Sequence, residues 1–244
     1  MNHLDPQDYY KVEEIILQKA GGPLGFSIVG GVDHSSHPFG LEEPGIFISK
    51  IVPGGSASQT KLRIGDRILS VNGIDLTKAT HQDAVMALVS PVQSIALQAQ
   101  HDPPPKGLQE MKIRKAPGEN LGISIKGGAH SHPGNPLDRT DEGVFVSRIN
   151  PVGAVHRDRR LRLGMRILEV NGQSLLGASH QEAVRALRSV GDAMFIMVCE
   201  GYDPAEAEKV NPEFGVLHRS KSDSVSSIDR ADYEEELIRR VGAR

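Results

Sequence analysis

The sequence predicts a mainly β protein with two helices per domain, arranged as two small antiparallel β-sandwich or barrel domains in tandem. Three observations lead to this fold class. The 244-residue chain contains one ordered set of motifs twice, about one domain length apart. Each copy has several short alternating or apolar segments bounded by turn residues, which is typical of strands. A helical pattern of apolar residues recurs near the end of each copy.

The repeat is clearest in two motifs. Residues 24–31 (LGFSIVGG) return as residues 121–128 (LGISIKGG), and residues 45–51 (GIFISKI) return as residues 143–149 (GVFVSRI). A unit of this length is a whole domain and not one turn of a solenoid. The predicted organisation is an N-terminal flank (1–10), a first domain (11–102), a short and stiff Pro-rich linker (103–107) that constrains the two domains, a second domain (108–202), and a largely disordered tail (203–244) with a short helix at 231–241.

Both copies contain the same predicted elements in the same order. After three strands come a short helical turn, an apolar strand and an Asn-Gly hairpin turn. A helix follows, with Thr80 or Ser179 as its N-cap and an acidic residue in its first turn. A last strand closes each copy. The main strands are expected at residues 14–17, 26–29, 46–51, 67–71 and 94–99, and again at residues 109–113, 123–126, 144–149, 166–170 and 193–199.

Composition excludes several classes of protein. A formal net charge of −3 gives no general attraction to nucleic acid or to an anionic membrane. No apolar run approaches the ~20 residues that span a bilayer, and the first residues do not resemble a signal peptide. The one cysteine, Cys199, follows an apolar run, so we expect a buried, inert thiol and a reducing, cytoplasmic compartment. With almost no large aromatic residues, the cores must consist of aliphatic side chains.

The motifs resemble those of the PDZ domain family. Residues 23–26 (PLGF) are close to the Gly-Leu-Gly-Phe loop of that family, and residues 120–123 (NLGI) repeat it. Four ordered motifs occurring twice make the resemblance specific. It implies a non-catalytic scaffold or adaptor without a cofactor, which binds C-terminal peptides of membrane receptors or cytosolic signalling proteins. It also implies a role in cell polarity and junction complexes, with a cytoplasmic location that is peripheral at the plasma membrane or cell junctions through partners.

In this family the peptide joins the sheet as an antiparallel strand beside the second strand, which is β-augmentation. The loop before that strand supplies backbone N–H groups for the terminal carboxylate, and Gly25 and Gly122 permit its dihedral angles. The peptide-binding residues implied for the first domain are Leu24, Gly25, Phe26, Ser27, Ile28, His81, Val85 and Leu88. Those implied for the second domain are Leu121, Gly122, Ile123, Ser124, Ile125, His180, Val184 and Leu187.

The two helix-start histidines are expected to determine selectivity. His81 and His180 are each followed at i+4 and i+7 by apolar residues, so all three side chains share one helix face. A neutral imidazole nitrogen accepts a hydrogen bond from a hydroxyl. In the family this implies tails that end Ser/Thr-x-Val/Leu/Ile. Because a protonated ring cannot accept, binding should weaken below about pH 6.5.

The copies also differ. Ile123 replaces the larger Phe26, so the second pocket is expected to be roomier. Met165 replaces Asp66, so any local cap made by that acid should be lost in the second domain. The two domains should therefore prefer different tails.

Three alternative functions have some basis in the sequence. The His-rich loops at residues 34–37 and 130–132 suggest zinc, but no cysteine and no fixed third ligand accompany them, so no metal is expected. The charged run at residues 157–160 is a solvated cluster or a weak phosphoinositide contact, which would make the chain a lipid-binding adaptor. An enzyme would need a catalytic block outside the repeats, and no room remains for one. The chain is expected to be monomeric, without nucleic acid partners.

Overall fold

The computed structural model describes residues 9–19, 23–41 and 43–210. It contains two domains with the same order of elements. The first comprises β1 (Val12–Gln18), β2 (Phe26–Gly30), β3 (Ile46–Ile51), a 3-10 helix (Ser56–Gln59), β4 (Arg67–Val71), β5 (Ile74–Asp75), α1 (His81–Val89) and β6 (Ser94–Gln100). The second comprises β7 (Gln109–Arg114), β8 (Ile123–Gly127), β9 (Val144–Ile149), α2 (Ala154–Asp158), β10 (Arg166–Val170), β11 (Gln173–Ser174), α3 (His180–Arg188) and β12 (Ala193–Cys199), with α4 (Pro204–Val210) after it.

Each domain is built on one six-stranded antiparallel sheet. The strand order is β1-β6-β4-β3-β2 in the first domain and β7-β12-β10-β9-β8 in the second, with β5 and β11 paired to β4 and β10. This confirms the predicted fold class of two mainly β domains with few helices. In both sheets the strand after the Leu-Gly loop, β2 or β8, lies at one end of the order. Each is therefore an edge strand, and an edge strand presents backbone groups to which a further strand can bind.

Local sequence signals explain the turns and the helix starts. Asn72 and Gly73 form a two-residue hairpin loop with φ angles of 49° and 79°, which match the left-handed conformation of a type I′ turn. Thr80 accepts a hydrogen bond from the Asp83 N–H, and the Asp83 carboxylate accepts one from the Thr80 N–H, both at 3.1 Å. This reciprocal capping box starts α1, and Ser179 repeats it at α3.

Each domain has its own core, which is mainly aliphatic as the composition predicts, but Phe39, Phe47 and Phe145 are also buried, so the expectation of purely aliphatic cores is wrong. In the first domain the core lies between the sheet and α1. The second adds methionines, and Met165 has a further role. Its sulfur accepts a hydrogen bond from the Arg162 N–H at 3.4 Å, at the place where the Asp66 carboxylate accepts from the Arg63 N–H at 2.9 Å. The expectation that this cap is lost in the second domain is therefore wrong, because a weaker sulfur acceptor replaces the carboxylate.

Helix α4 contradicts part of the prediction for residues 203–244. Ala207 is buried and packs with Phe145 and Tyr202, whose rings lie 5.7 Å apart. The sequence of this segment predicts disorder because it contains few apolar residues. The structure shows that the ring of Phe145, which is distant in the sequence, provides the apolar surface against which α4 packs. The predicted helix at residues 231–241 lies outside the described residues.

The last two residues of the predicted first domain, which precede the linker, are fixed by side-chain contacts. His101 and Asp102 are both buried, and each bonds to a side chain at the start of β4. His101 Nδ1 lies 2.9 Å from Asp66 Oδ1, and Asp102 accepts a hydrogen bond from Arg67 Nε at 2.9 Å. These side chains hold the chain against the first domain before it enters the second.

Among the described residues, side chains of the two domains contact each other directly. Lys50 on β3 forms an ion pair with Glu169 on β10, with 2.7 Å between Nζ and Oε2. Ile64 of the first domain packs against a small cluster of the second domain that contains Cys199. Both contacts support the expected constraint on the orientation of the two domains.

Candidate functional site

The sequence-predicted residues meet at the edge strand and helix of each domain. The N-terminus of α1 lies against the end of β2, since a Cβ added to Gly31 would come within 2.5 Å of the His81 backbone nitrogen. Gly128 and His180 repeat this approach in the second domain. Gly31 and Gly128 have φ angles of +129° and +109°. Glycine tolerates these angles, so both positions let the strand end bend and run beside the helix start.

One hydrogen bond determines which ring nitrogen of His81 carries the hydrogen in the neutral form. Its Nδ1 lies 2.8 Å from the carbonyl oxygen of Gly30, and His180 Nδ1 lies 2.8 Å from that of Gly127. A carbonyl oxygen can only accept, so Nδ1 must carry the hydrogen. In the neutral ring, Nε2 is then the acceptor. The edge strand itself thus fixes the tautomer that can accept a hydrogen bond from a hydroxyl, and it does so in both domains.

The first domain surrounds His81 with two further polar side chains that sequence reasoning missed. The Asp33 carboxylate accepts a hydrogen bond from the His81 N–H at 2.8 Å and lies 3.0 Å from His34 Nδ1. The His81 backbone bond is the main cause that lowers the pKa of Asp33. The ring of His34 lies 5.2 Å from that of His81. The motif offered no signal for this, because Asp33 lies in a loop whose sequence differs between the two domains.

The Leu-Gly loop of the second domain (residues 120–123) is held by hydrogen bonds to three of its carbonyl oxygens. The carbonyl oxygens of Asn120, Leu121 and Gly122 accept hydrogen bonds from the N–H groups of Ala154, Val155 and Asn150, at 3.0, 3.1 and 2.7 Å respectively. In a planar trans peptide the C=O and the following N–H point in opposite directions. The N–H groups that follow, those of residues 121–123, therefore point away from α2 and β9. They form the set of donors that the resemblance implies for a carboxylate.

The first domain repeats this arrangement at two positions. The carbonyl oxygens of Leu24 and Gly25 accept from Ala57 and Val52 at 3.0 and 2.8 Å, so the N–H groups of residues 25 and 26 point the other way. Gly25 has a φ of +78°, and a Cβ there would lie 2.7 Å from the Gly55 Cα. The position therefore requires glycine both for its dihedral angle and for space.

The apolar part of the site is divided between core and surface. Leu88 and Leu187 are buried in their cores, whereas Val85 and Val184, one turn earlier, are partly exposed. The remaining apolar residues of the predicted sites pack against the cores while staying partly exposed; they are Leu24, Phe26 and Ile28 in the first domain and Leu121, Ile123 and Ile125 in the second. Ser27 and Ser124 lie on the same two edge strands.

A lysine lies beside the Leu-Gly loop of the first domain. Lys19 Nζ donates to the carbonyl oxygen of Ser90 at 2.5 Å, and Ser90 is the C-cap of α1. A cation at this place stabilises the C-terminal end of the helix. Lys19 also lines an open depression of about 520 Å³ beside the Leu-Gly loop, together with Pro23 and Val52. Its charge is therefore close to the point where the carboxylate is expected.

The geometry gives less support to a metal site, a reactive cysteine or a lipid contact than to the peptide site. Among the described residues no group of three His, Cys, Asp or Glu side chains is arranged to hold a metal ion. Cys199 is buried, and burial raises the pKa of its thiol to about 12, as expected for an inert thiol. Arg157 and Arg160 both pair with acids of their own domain, Glu119 and Asp158. In the part of the chain that the structure describes, no helix is long and apolar enough to cross a membrane.

Comparison with known proteins identifies the fold family. The PDZ domain model matches residues 14–100 and 110–198. The chain is 40% identical to Disks large homolog 4 of Danio rerio over 202 residues, which is 82% of this chain and 24% of that protein. It is 37% identical to Disks large homolog 3 of Homo sapiens over 194 residues, which is 78% of this chain and 23% of that protein. The chain thus spans about a quarter of the length of these curated relatives.

A solved structure that the chain resembles is the second PDZ domain of Dlg1 from the choanoflagellate Monosiga brevicollis. It is 40% identical, with a TM-score of 0.34, and the match covers 37% of this chain and 93% of that one. The family model matches well over half of the chain, and it matches each repeat once. The chain therefore belongs to the PDZ domain family and carries two PDZ domains in tandem.

Proposed function

We propose that this chain is a non-catalytic scaffold segment in which each domain binds the C-terminal tail of a partner by β-augmentation. The observation that carries the proposal is the Nδ1 contact of His81 and His180, which leaves Nε2 as an acceptor beside an edge strand. A tail residue with a hydroxyl two positions before the end supplies the matching donor. The amide groups of the Leu-Gly loops supply donors for the carboxylate, and Val85 and Val184 offer apolar surface for the last side chain.

The boundaries we propose for the folded units are residues 11–102 and 108–202. The partners are C-terminal peptides of membrane receptors or cytosolic signalling proteins that end Ser/Thr-x-Val/Leu/Ile. The loop sequences around both motifs resemble the third and fourth PDZ domains of the polarity scaffold Scribble. On that resemblance we propose a role in polarity or junction complexes and a cytoplasmic location that is peripheral at the membrane through partners.

The test is a titration of the isotope-labelled chain with peptides, followed by NMR. Amide resonances of the two domains report separate dissociation constants. Replacing Thr by Ala two residues before the peptide end should weaken binding about 5- to 100-fold, because it removes the donor to a partly buried acceptor. In the His81→Ala variant the first domain should no longer distinguish the two peptides, while the second still does.

Gln82→Ala is the matched control, since Gln82 is the exposed next residue of the same helix. It should leave the distinction between Thr and Ala peptides intact. If wild-type protein binds both peptides equally, the role of the histidines is wrong. If no free C-terminal peptide shifts any resonance of either edge strand, the proposed function itself is wrong.

The alternative proposal is a weak phosphoinositide contact at residues 157–160. Its support is the exposed Arg159, which has a left-handed backbone conformation at the end of α2. Sedimentation with vesicles that contain phosphoinositide, at low and at moderate salt, separates this function from peptide capture. Because two neighbouring arginines already pair with acids, we expect little binding at physiological salt.

A further inference from the structure

The second domain contains an ion pair that has no counterpart among the described residues of the first domain. Arg157 on α2 contacts the carboxylate of Glu119 with two nitrogens: Nε lies 3.1 Å from Oε1, and Nη2 lies 2.6 Å from Oε2. This pair stabilises both charges, so it lowers the pKa of Glu119 and raises that of Arg157. In the first domain the corresponding short helix has the sequence SASQ and carries no basic residue.

The pair is joined to the backbone of the loop at both ends. Arg157 Nη2 also donates to the carbonyl oxygen of Arg114, the last residue of β7, at 2.8 Å. Glu119 Oε2 also accepts from the N–H of Ala116 at 2.6 Å, within a turn that has Gly118 at a φ of +73°. Four groups thus fix the segment that connects β7 to the Leu-Gly loop. An exposed ion pair alone contributes little, but a two-point arginine–carboxylate contact inside a network is the exception.

This segment leads directly into the carboxylate-binding loop. Glu119 precedes Asn120, whose carbonyl oxygen accepts from α2, the helix that carries Arg157. The loop and α2 are therefore tied together twice, once by backbone bonds and once by the ion pair. A loop already held in its binding conformation loses less entropy when it binds.

We propose that Arg157 and Glu119 are positioning residues, a clamp that holds the carboxylate-binding loop of the second domain ready for the terminal carboxylate of a bound tail. This rests on the proposed function. Neither side chain touches the ligand; both act through the N–H groups of residues 121–123. The first domain binds without such a clamp and serves as an internal control in the same molecule.

The test uses the full chain, titrated with one peptide in three forms: a free C-terminus, an amidated C-terminus, and a free C-terminus with Ala two residues before the end. Arg157→Ala and Glu119→Ala should each weaken binding of the free-carboxylate peptide to the second domain about three- to tenfold. The preference for carboxylate over amide should shrink by the same factor. The preference for Thr over Ala should not change, because His180 is held by Gly127 at the other end of β8.

A double variant separates the pair from two independent effects. Arg157→Ala combined with Glu119→Ala should be no weaker than either single variant, because both remove the same interaction. Arg160→Ala is the matched control, since Arg160 also pairs with an acid but Asp158 lies on α2 itself and not on the loop. This control should leave the affinities of the second domain for all three peptides unchanged. The affinities of the first domain should be unchanged in every one of these variants.

The outcomes distinguish the clamp from the proposed function. An unchanged carboxylate preference in both single variants overturns the clamp, as do additive losses in the double variant. Loss of both the carboxylate and the Thr preference also overturns it, because that indicates a general structural effect. If wild-type protein does not prefer a free carboxylate in either domain, the proposed function fails independently of the clamp.

Discussion

Replacing Asp66 tests how the buried C-terminal end of the first domain, at His101, is held. Asp66 is 1% exposed and His101 is 3% exposed. The Asp66 carboxylate accepts two hydrogen bonds, each of 2.9 Å, from His101 Nδ1 and from the Arg63 N–H. Asp66→Ala leaves both donors without this partner, and each buried unpaired donor costs about 1–3 kcal/mol. The expected loss in the free energy of unfolding of the first domain is therefore about 2–6 kcal/mol.

The second domain suggests an intermediate variant. Its Met165 sulfur accepts from the Arg162 N–H, so Asp66→Met should recover a weaker form of the Arg63 bond and leave only His101 without a partner. The expected loss is then about 1–3 kcal/mol, less than for Asp66→Ala. A cavity at this buried site would also make Asp66→Ala the least stable variant, so Asp66→Leu is the volume control: without a sulfur acceptor, it should be less stable than Asp66→Met.

Native-state hydrogen exchange of the full chain measures both domains at once. Protection of β6 reports on the first domain, and protection of β12 reports on the second. Only β6 should lose protection in these variants. Glu14→Ala, at an exposed position of β1, is the control and should change protection by less than about 0.5 kcal/mol. Equal protection of β6 in wild type and Asp66→Ala would refute the argument, and so would an Asp66→Met protein less stable than Asp66→Ala.

Three further predictions concern the loop, the thiol and α4. Gly25→Ala should abolish most peptide binding by the first domain in an NMR titration, because the new Cβ would lie 2.7 Å from the Gly55 Cα; Gly191→Ala, with open space around it, should not. The thiol of Cys199, with a pKa of about 12, stays protonated at pH 8, so iodoacetamide should modify it at least tenfold faster in urea than in the native state. Ala207→Asp should destabilise the second domain by about 2–4 kcal/mol in exchange measurements, because it buries an unpaired charge, whereas Ala205→Asp on the exposed side should not. Native labelling as fast as in urea, or equal stability of the two α4 variants, would contradict these assignments.

The sequence predicts the elements well wherever one local signal decides the structure. The Asn72-Gly73 pair permits few conformations other than a tight hairpin turn, and Thr80 with Asp83 forms the capping box at the predicted helix start. The repeat strengthens each prediction, because the same local signal occurs at the corresponding position of the second domain. The predicted strands agree with the structure for the same reason, because period-two patterns lie between strong turn residues.

Long-range contacts were not predictable in this way. Helix α4 depends on the ring of Phe145, which is 62 positions before Ala207 in the sequence. The sulfur cap of Met165 was missed because methionine is usually treated as an apolar residue, and only its distance to the Arg162 N–H shows the weak acceptor. The clamp between Arg157 and Glu119 looked like part of a solvated charge cluster, since the acid lies 38 residues away from the arginine.

The two domains thus share the groups proposed to meet the ligand and differ in the groups that hold them. In both, the edge-strand carbonyl fixes the histidine tautomer. Around that common contact, the first domain adds Asp33 and His34 at the helix start, and the second adds the Arg157–Glu119 pair at the carboxylate loop. In the proposed mode of binding, the helix start contacts the hydroxyl and the loop contacts the carboxylate, so the two domains should weight these two features of a tail differently. Differences in selectivity between them should therefore follow the supporting residues more closely than the shared motif.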